Sequence, residues 1–190
     1  SIIAHENVRK RLGVESRSPT GQTRPAAPKA ALPVITFEDR VTVHLNGEDI
    51  RAIHFPRGHT DGDAIIFFSK SNVVHMGDDF FSGRFPFIDL QSGGSVKGLI
   101  ANLDKVIPQI PTGAKIIPGH GPLSSLEDLK KFASMIKEAT ALVEAGIRAG
   151  KTLDQLKSEK VLGKFDSWSW EFIKADRFTE TIYADLTAKK

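Results

Sequence analysis

Pro56-Arg57-Gly58-His59-Thr60-Asp61-Gly62-Asp63 is the stretch on which the reading of this sequence turns. It packs one imidazole, two carboxylates and two glycines between two strand-like runs. Before it comes Ile53-His54-Phe55; after it comes the continuous apolar run Ala64-Ile65-Ile66-Phe67-Phe68. A polar loop pinned between buried strands is a common carrier of binding or catalytic side chains, because the scaffold holds it rigidly. The same residues also make a tight turn, with Gly58 and Gly62 supplying the backbone freedom. The loop alone leaves both readings open.

Outward from the loop the strands continue. Val41-Thr42-Val43-His44-Leu45 and Asp49-Ile50-Arg51-Ala52-Ile53-His54-Phe55 flank Asn46-Gly47, the strongest short-range hairpin signal. Residues 64–69 and 73–76 make a second pair. His44, His54 and His75 fall on these strands, where an isolated histidine is ordinarily a surface or half-buried residue rather than a ligand. Gly77-Asp78-Asp79-Phe80-Phe81 follows directly, which puts Asp78 at a predicted strand end. Residues 95–107 carry apolar side chains at helical spacing behind Ser95 as N-cap. Gly93-Gly94 before them lacks the lysine of a phosphate loop and reads as a turn.

Ala114-Lys115-Ile116-Ile117-Pro118 is a further strand, and Gly119-His120-Gly121-Pro122 ends it: a second histidine in a glycine-rich loop. Residues 124–190 read as mainly helical. Ser125-Leu126-Glu127-Asp128 opens a long helix, Thr152-Leu153-Asp154-Gln155 makes a capping box, and a last helix runs from Ala175. Trp168 and Trp170 lie just before that helix and read as core packing. At the other end, residues 5–7 lead into a short helix stopped by Gly13. Residues 15–33, rich in Ser, Thr, Pro and Gly and without apolar periodicity, read as a flexible loop, either a lid or a disordered segment.

Composition bounds the function. The 190 residues are 40% hydrophobic and 26% charged, which suits one globular domain. The formal net charge is +3, with small basic clusters at Arg9-Lys10-Arg11 and Lys189-Lys190 and no aromatic platform interleaved with them; this argues against a nucleic-acid partner. There is no cysteine, so disulfides, thiolate ligands and a thiol nucleophile are excluded together. No apolar run is long enough to cross a bilayer, and Ser1-Ile2-Ile3-Ala4-His5 does not read as a signal peptide, which leaves cytoplasm and periplasm both open. Ile2-Ile3-Ala4 reads as the end of a strand with something missing in front of it.

Three strand ends thus present His59, Asp78 and His120, each beside glycine. Imidazole and carboxylate are the usual ligands of zinc in a site without cysteine, and strands leaving one edge of a sheet bring together residues far apart in the chain. Three unrelated glycine turns would give the same pattern.

The succession Gly-His-Thr-Asp-Gly-Asp, His-Met-Gly-Asp-Asp-Phe-Phe and Ile-Ile-Pro-Gly-His-Gly-Pro resembles the second part of the metallo-β-lactamase superfamily. The resemblance spans most of the chain. It implies an α/β (α+β) fold, the αββα sandwich, with a site for two zinc ions at one edge. It implies that His59 is the third histidine of the first metal site, that Asp78 bridges both metals and is the catalytic carboxylate, and that His120 belongs to the second site. Asp61 and Asp63 are expected to orient His59 by hydrogen bonds, or else to serve the turn. Residues 16–33 and 80–87 are expected to shape the mouth. The implied activity is metal-dependent hydrolysis, with metal-bound hydroxide attacking a carbonyl or phosphoryl centre of a small-molecule substrate. Asp at position 78 is similar to the broader hydrolases of thioesters, lactones or phosphoesters rather than to lactam-specialised branches.

The hallmark His-x-His-x-Asp-His cluster of that superfamily is absent from these residues. The expectation is therefore a single incomplete domain over 1–190 that lacks the N-terminal part of the first sheet and is inactive by itself. It would associate with a second copy or with a complementing N-terminal segment. The alternative is a degenerate, non-catalytic scaffold that has lost its metals.

Overall fold

The computed structural model describes residues 1–17 and 21–188. Lys189-Lys190 and residues 18–20 of the expected 15–33 loop lie outside them. The main sheet has five strands in the order β5 (Arg40–Leu45), β6 (Glu48–His54), β7 (Ala64–Phe68), β8 (Val73–Phe81) and β9 (Lys115–His120). The first four pair antiparallel through short connections; β9 joins β8 in parallel. Antiparallel neighbours need only a hairpin, whereas the parallel pair needs a crossover, here carried by α2 (Val96–Val106). The Asn46-Gly47 turn adopts positive φ at both residues, 53° and 73°, as a two-residue hairpin requires, and fixes the register Leu45↔Glu48 to Arg40↔Ile53.

One face of the sheet is packed by helices. Ile65, Phe67, Val74, Met76 and Ile116 point into a core completed by Leu99 and Leu103 of α2 and by Leu129, Phe132 and Ile136 of α3 (Leu126–Arg148). Phe178 and Ile182 of α5 (Ala175–Thr187) close it. Ser95, Ser125 and Thr152 cap α2, α3 and α4 (Leu153–Ser158), the last two as capping boxes. Residues 124–190 are mainly helical over their described part.

The N-terminal part forms a separate small layer. Strand β1 (Ile3–His5) pairs in parallel with β4 (Ile35–Phe37), and α1 (Glu6–Leu12) lies between them in sequence. The expected 15–33 loop is not wholly irregular. β2 (Ser16–Arg17) pairs with β3 (Thr23–Arg24), and a short helical turn covers Lys29–Ala31. The segment is tied back to α1 by Ala27 N–H on the Leu12 carbonyl and by Arg9 on the Pro33 carbonyl. A second correction concerns the strand read at 73–76, which runs on to Phe81. Asp78 therefore lies inside β8 and not at its end. Gly and Asp are poor strand formers and disguised the continuation.

The layer docks on the sheet through a stacked histidine pair, His5 on His54, with ring centroids 3.7 Å apart. His5 Nδ1 accepts the Asn7 amide and so caps α1. Burial first, then the neighbouring His54, lowers the His5 pKa from 6.5, against the opposing pull of Glu38 and Glu6. Folded His5 thus takes up a proton less readily than the unfolded chain does. Below about pH 6.5 the unfolded state binds more protons, and stability falls as the pH drops. His5→Asn keeps a good cap residue and removes the titration. Urea denaturation at pH 7 and pH 5 is expected to show a smaller loss of stability in His5→Asn than in the parent.

Candidate metal centre

The 56–63 loop is held as a rigid body by the segment 87–95. The carbonyl of Gly58 accepts from the Ser95 amide, that of His59 from the Asp89 amide, and the Asp61 amide donates to the Ser92 carbonyl. The His59 ring is fixed by Nδ1 on the Phe87 carbonyl at 2.8 Å. A carbonyl only accepts, so Nδ1 carries a proton, and in the neutral ring Nε2 is the nitrogen with the lone pair. That nitrogen faces Asp78 Oδ2 at 3.4 Å. On the other side His120 Nε2 faces Asp78 Oδ1 at 3.5 Å. The structure therefore brings His59, Asp78 and His120 together, with the carboxylate between two imidazoles and one oxygen toward each.

Two close approaches make this possible. The pairing of β8 with β9 slips between His75 and Phe81, which brings Gly119 against Asp78. A Cβ at 119 would meet Asp78 Oδ1 at 2.1 Å. Beneath the loop, Gly58 lets the Asp79 carboxylate reach the backbone: a Cβ at 58 would meet Asp79 Oδ1 at 2.0 Å.

Asp79 is the residue that the sequence reading missed. It is 1% exposed and accepts the His59 amide at 3.1 Å. Burial, then the facing Asp63 carboxylate, pushes its pKa well above the usual carboxylate range. Asp79 is thus held in its protonated form to higher pH than an ordinary carboxylic acid.

Of the two roles read for Asp61 and Asp63, orienting the His59 ring or serving the turn, neither residue touches the ring, and Asp63 serves the turn. Asp61 forms an ion pair with Arg11 of α1, and its carbonyl accepts from Asn7. Asp63 accepts from the Thr60 amide at 2.7 Å and the Thr60 hydroxyl at 2.5 Å. Asp63 acts on His59 at one remove, through the loop backbone and through Asp79. The ring itself is oriented by a main-chain carbonyl, which leaves no mark in a sequence. The expected mouth at 80–87 also needs revision: Phe80, Phe81 and Phe85 are fully buried. Phe81 supports the site from below, its ring stacked on His120 at 4.7 Å. Trp170, read as core, lies beside His120 with centroids 5.7 Å apart.

No family model matches the chain. A metallo-β-lactamase type 2 from Bacteroides fragilis is 26% identical over 137 residues, which is 70% of this chain and 55% of the relative. The B3 metallo-β-lactamase BLEG-1 superposes with a TM-score of 0.57 at 22% identity, over 68% of this chain and 61% of its own. The stereoselective inverting sec-alkylsulfatase Pisa1 from Pseudomonas sp. superposes with a TM-score of 0.61 at 12% identity, over 85% of this chain and 27% of its own. This chain has the metallo-β-lactamase superfamily fold. It spans about half the length of the curated relative that it matches.

Within this metallo-β-lactamase fold the donors suit zinc in kind, being imidazole nitrogen and carboxylate oxygen, with the His59 tautomer already set. They fall short in number. Each side of Asp78 offers one imidazole and one carboxylate oxygen, whereas a catalytic zinc takes three protein ligands. Among the described residues no group of three or more His, Cys, Asp or Glu side chains is gathered so as to hold a metal ion by itself.

Gly119→Ala tests the packing of the edge. The added methyl has no room beside Asp78, and overpacking of this kind costs about 1–3 kcal/mol. Chemical denaturation is expected to report that loss, and the His59 and His120 ring resonances are expected to shift together in NMR spectra.

Proposed function

We propose that these residues supply part of the metal centre of a metal-dependent hydrolase, and that they do not turn over substrate by themselves. The observation that carries the reading is Asp78, set between two imidazoles with a different oxygen toward each. A carboxylate so placed is suited to hold two cations at a fixed spacing, with His59 completing one side and His120 the other. Zinc bound there would supply an activated water at neutral pH and a Lewis acid for the substrate oxygen. The chain's own share is orientation: the Phe87 carbonyl fixes the His59 tautomer, Phe81 fixes the plane of His120, and the buried Asp79 holds the loop backbone.

The bond cleaved stays broad in this proposal, a carbonyl or phosphoryl ester or amide. One neighbour of the fold is named a β-lactamase and another an alkylsulfatase, so the shared scaffold serves more than one bond type. The remaining ligands would come from a complementing segment or a second copy. The β1–β4 ladder exposes Ile2, Val34 and Ile35, an apolar edge of the sort that a further strand covers. Among the described residues no helix is long and apolar enough to cross a membrane.

The deciding experiment is zinc analysis and ester hydrolysis on the native protein isolated whole, beside Asp78→Asn. The expected result is bound zinc together with turnover, both lowered by roughly a hundredfold or more in the variant. A native protein that holds no zinc, hydrolyses nothing and is indifferent to Asp78→Asn is the non-catalytic scaffold instead.

A further inference from the structure

Three aromatic rings connect one candidate ligand to the other in unbroken succession. From His120 the contacts run to Trp170 at 5.7 Å, to Phe172 at 5.7 Å, to Phe87 at 5.6 Å and to His59 at 5.7 Å between centroids. The arc is built from two segments that lock each other. Trp170 Nε1 donates to the Phe85 carbonyl at 2.9 Å, the Phe85 amide donates to the Trp168 carbonyl, and the Trp170 amide donates to the Ile173 carbonyl. Its outermost ring, Phe172, is 47% exposed. A large apolar ring left half in water at the end of a rigid aromatic arc is surface that a ligand can cover.

Two cations lie on the same rings. The Arg84 guanidinium is 5.3 Å from the Trp170 centroid, and that of Arg177 is 4.9 Å from the Phe172 centroid. Among the described residues the arginines that form ion pairs are Arg11 and Arg148; no carboxylate lies within 4 Å of Arg84 or Arg177, although Asp176 and Glu180 line the same surface as Arg177. Arg84 Nε is buried with no hydrogen-bond partner. A positive charge on an aromatic face, with no carboxylate directly paired to it, attracts an anion, while the Asp78 carboxylate repels one. The two fields give a ligand on the arc a polarity, with its anionic end toward the arginines and away from Asp78.

We propose that Trp170, Phe172 and Phe87, with Arg84 and Arg177, form a specificity wall for substrates that carry a flat apolar ring bearing an anionic group. The ring stacks on the exposed part of the arc, the anion pairs with the guanidinium groups, and the group to be cleaved is left facing Asp78. The proposal rests on the reading of the Asp78 edge as the reaction site, and its test reads binding rather than turnover.

The probe is para-nitrobenzoate, a non-hydrolysable anionic arene that quenches tryptophan on contact. The neutral para-nitrobenzyl alcohol and plain acetate are its controls. In Trp168→Phe the remaining tryptophan, Trp170, is expected to be quenched saturably by para-nitrobenzoate, more weakly by the alcohol and not by acetate. In Trp170→Phe the saturable component disappears. Phe172→Ala weakens para-nitrobenzoate about tenfold, the scale of a lost aromatic contact on an exposed ring. The double variant Arg84→Gln with Arg177→Gln abolishes the preference over the alcohol. Melting temperatures check that the variants remain folded. Absence of saturable quenching, or quenching unchanged in Phe172→Ala, overturns the wall. Saturable binding in a native protein that hydrolyses nothing upholds the wall and sinks the hydrolase reading. Hydrolysis of nitrobenzoate-bearing esters with KM unaltered in Phe172→Ala upholds the hydrolase and sinks the wall.

Discussion

Strand β8 sends two consecutive carboxylates to different surroundings, and the arrangement of the site depends on the irregularity just before them at Gly77. Counted by strict alternation from the buried Val74 and Met76, Asp78 would face the core; the break at Gly77, which has φ 54°, instead leaves Asp78 36% exposed between two imidazoles and Asp79 buried beneath the His59 loop. A one-residue slip of β8 would exchange them, burying the outward carboxylate and leaving the His59 amide without its acceptor. The register is secured on both flanks, by β7 through Phe68↔Val73 to Ile66↔His75 and by β9 through Val73↔Lys115 to His75↔Ile117. The irregular stretch begins only after His75, where the strand must bend to bring Asp78 against Gly119.

Much of the fold was legible because local chemistry and global structure agree. Asn46-Gly47 can make one kind of turn well, and it does. Ser95, Ser125 and Thr152 stop and start helices by satisfying free amides, a signal that survives any tertiary context. His59, Asp78 and His120 were legible as polar groups beside glycine at the margins of apolar runs. Their supports were not. Asp79 reads as a duplicate of Asp78 until the strand is known to continue through both. The group that orients His59 is the main-chain carbonyl of Phe87, 28 residues away, and any residue type provides one. Asp61 and Asp63, adjacent in sequence and chemically apt, serve α1 and the turn instead.

The likeness in fold and the shortage of ligands bear on different questions. A superposition at 12–22% identity fixes where strands and helices run. It does not count donors. Here the donors are right in kind and short in number: among the described residues no three of them are gathered so as to hold an ion.

The anchoring of the His59 loop has a consequence for the order of folding. Strands β5 to β8 pair each with the next in sequence, across two short turns and the 55–63 loop, whereas His59 is held by Phe87, by Asp79 and, through Asp61, by α1 near the start of the chain. The pairing of β9 with β8 spans the α2 crossover. Closure of long loops is slow relative to hairpin formation. The hairpin pairings are therefore of lower contact order than the contacts that assemble His59, Asp78 and His120, which favours the hairpins forming first.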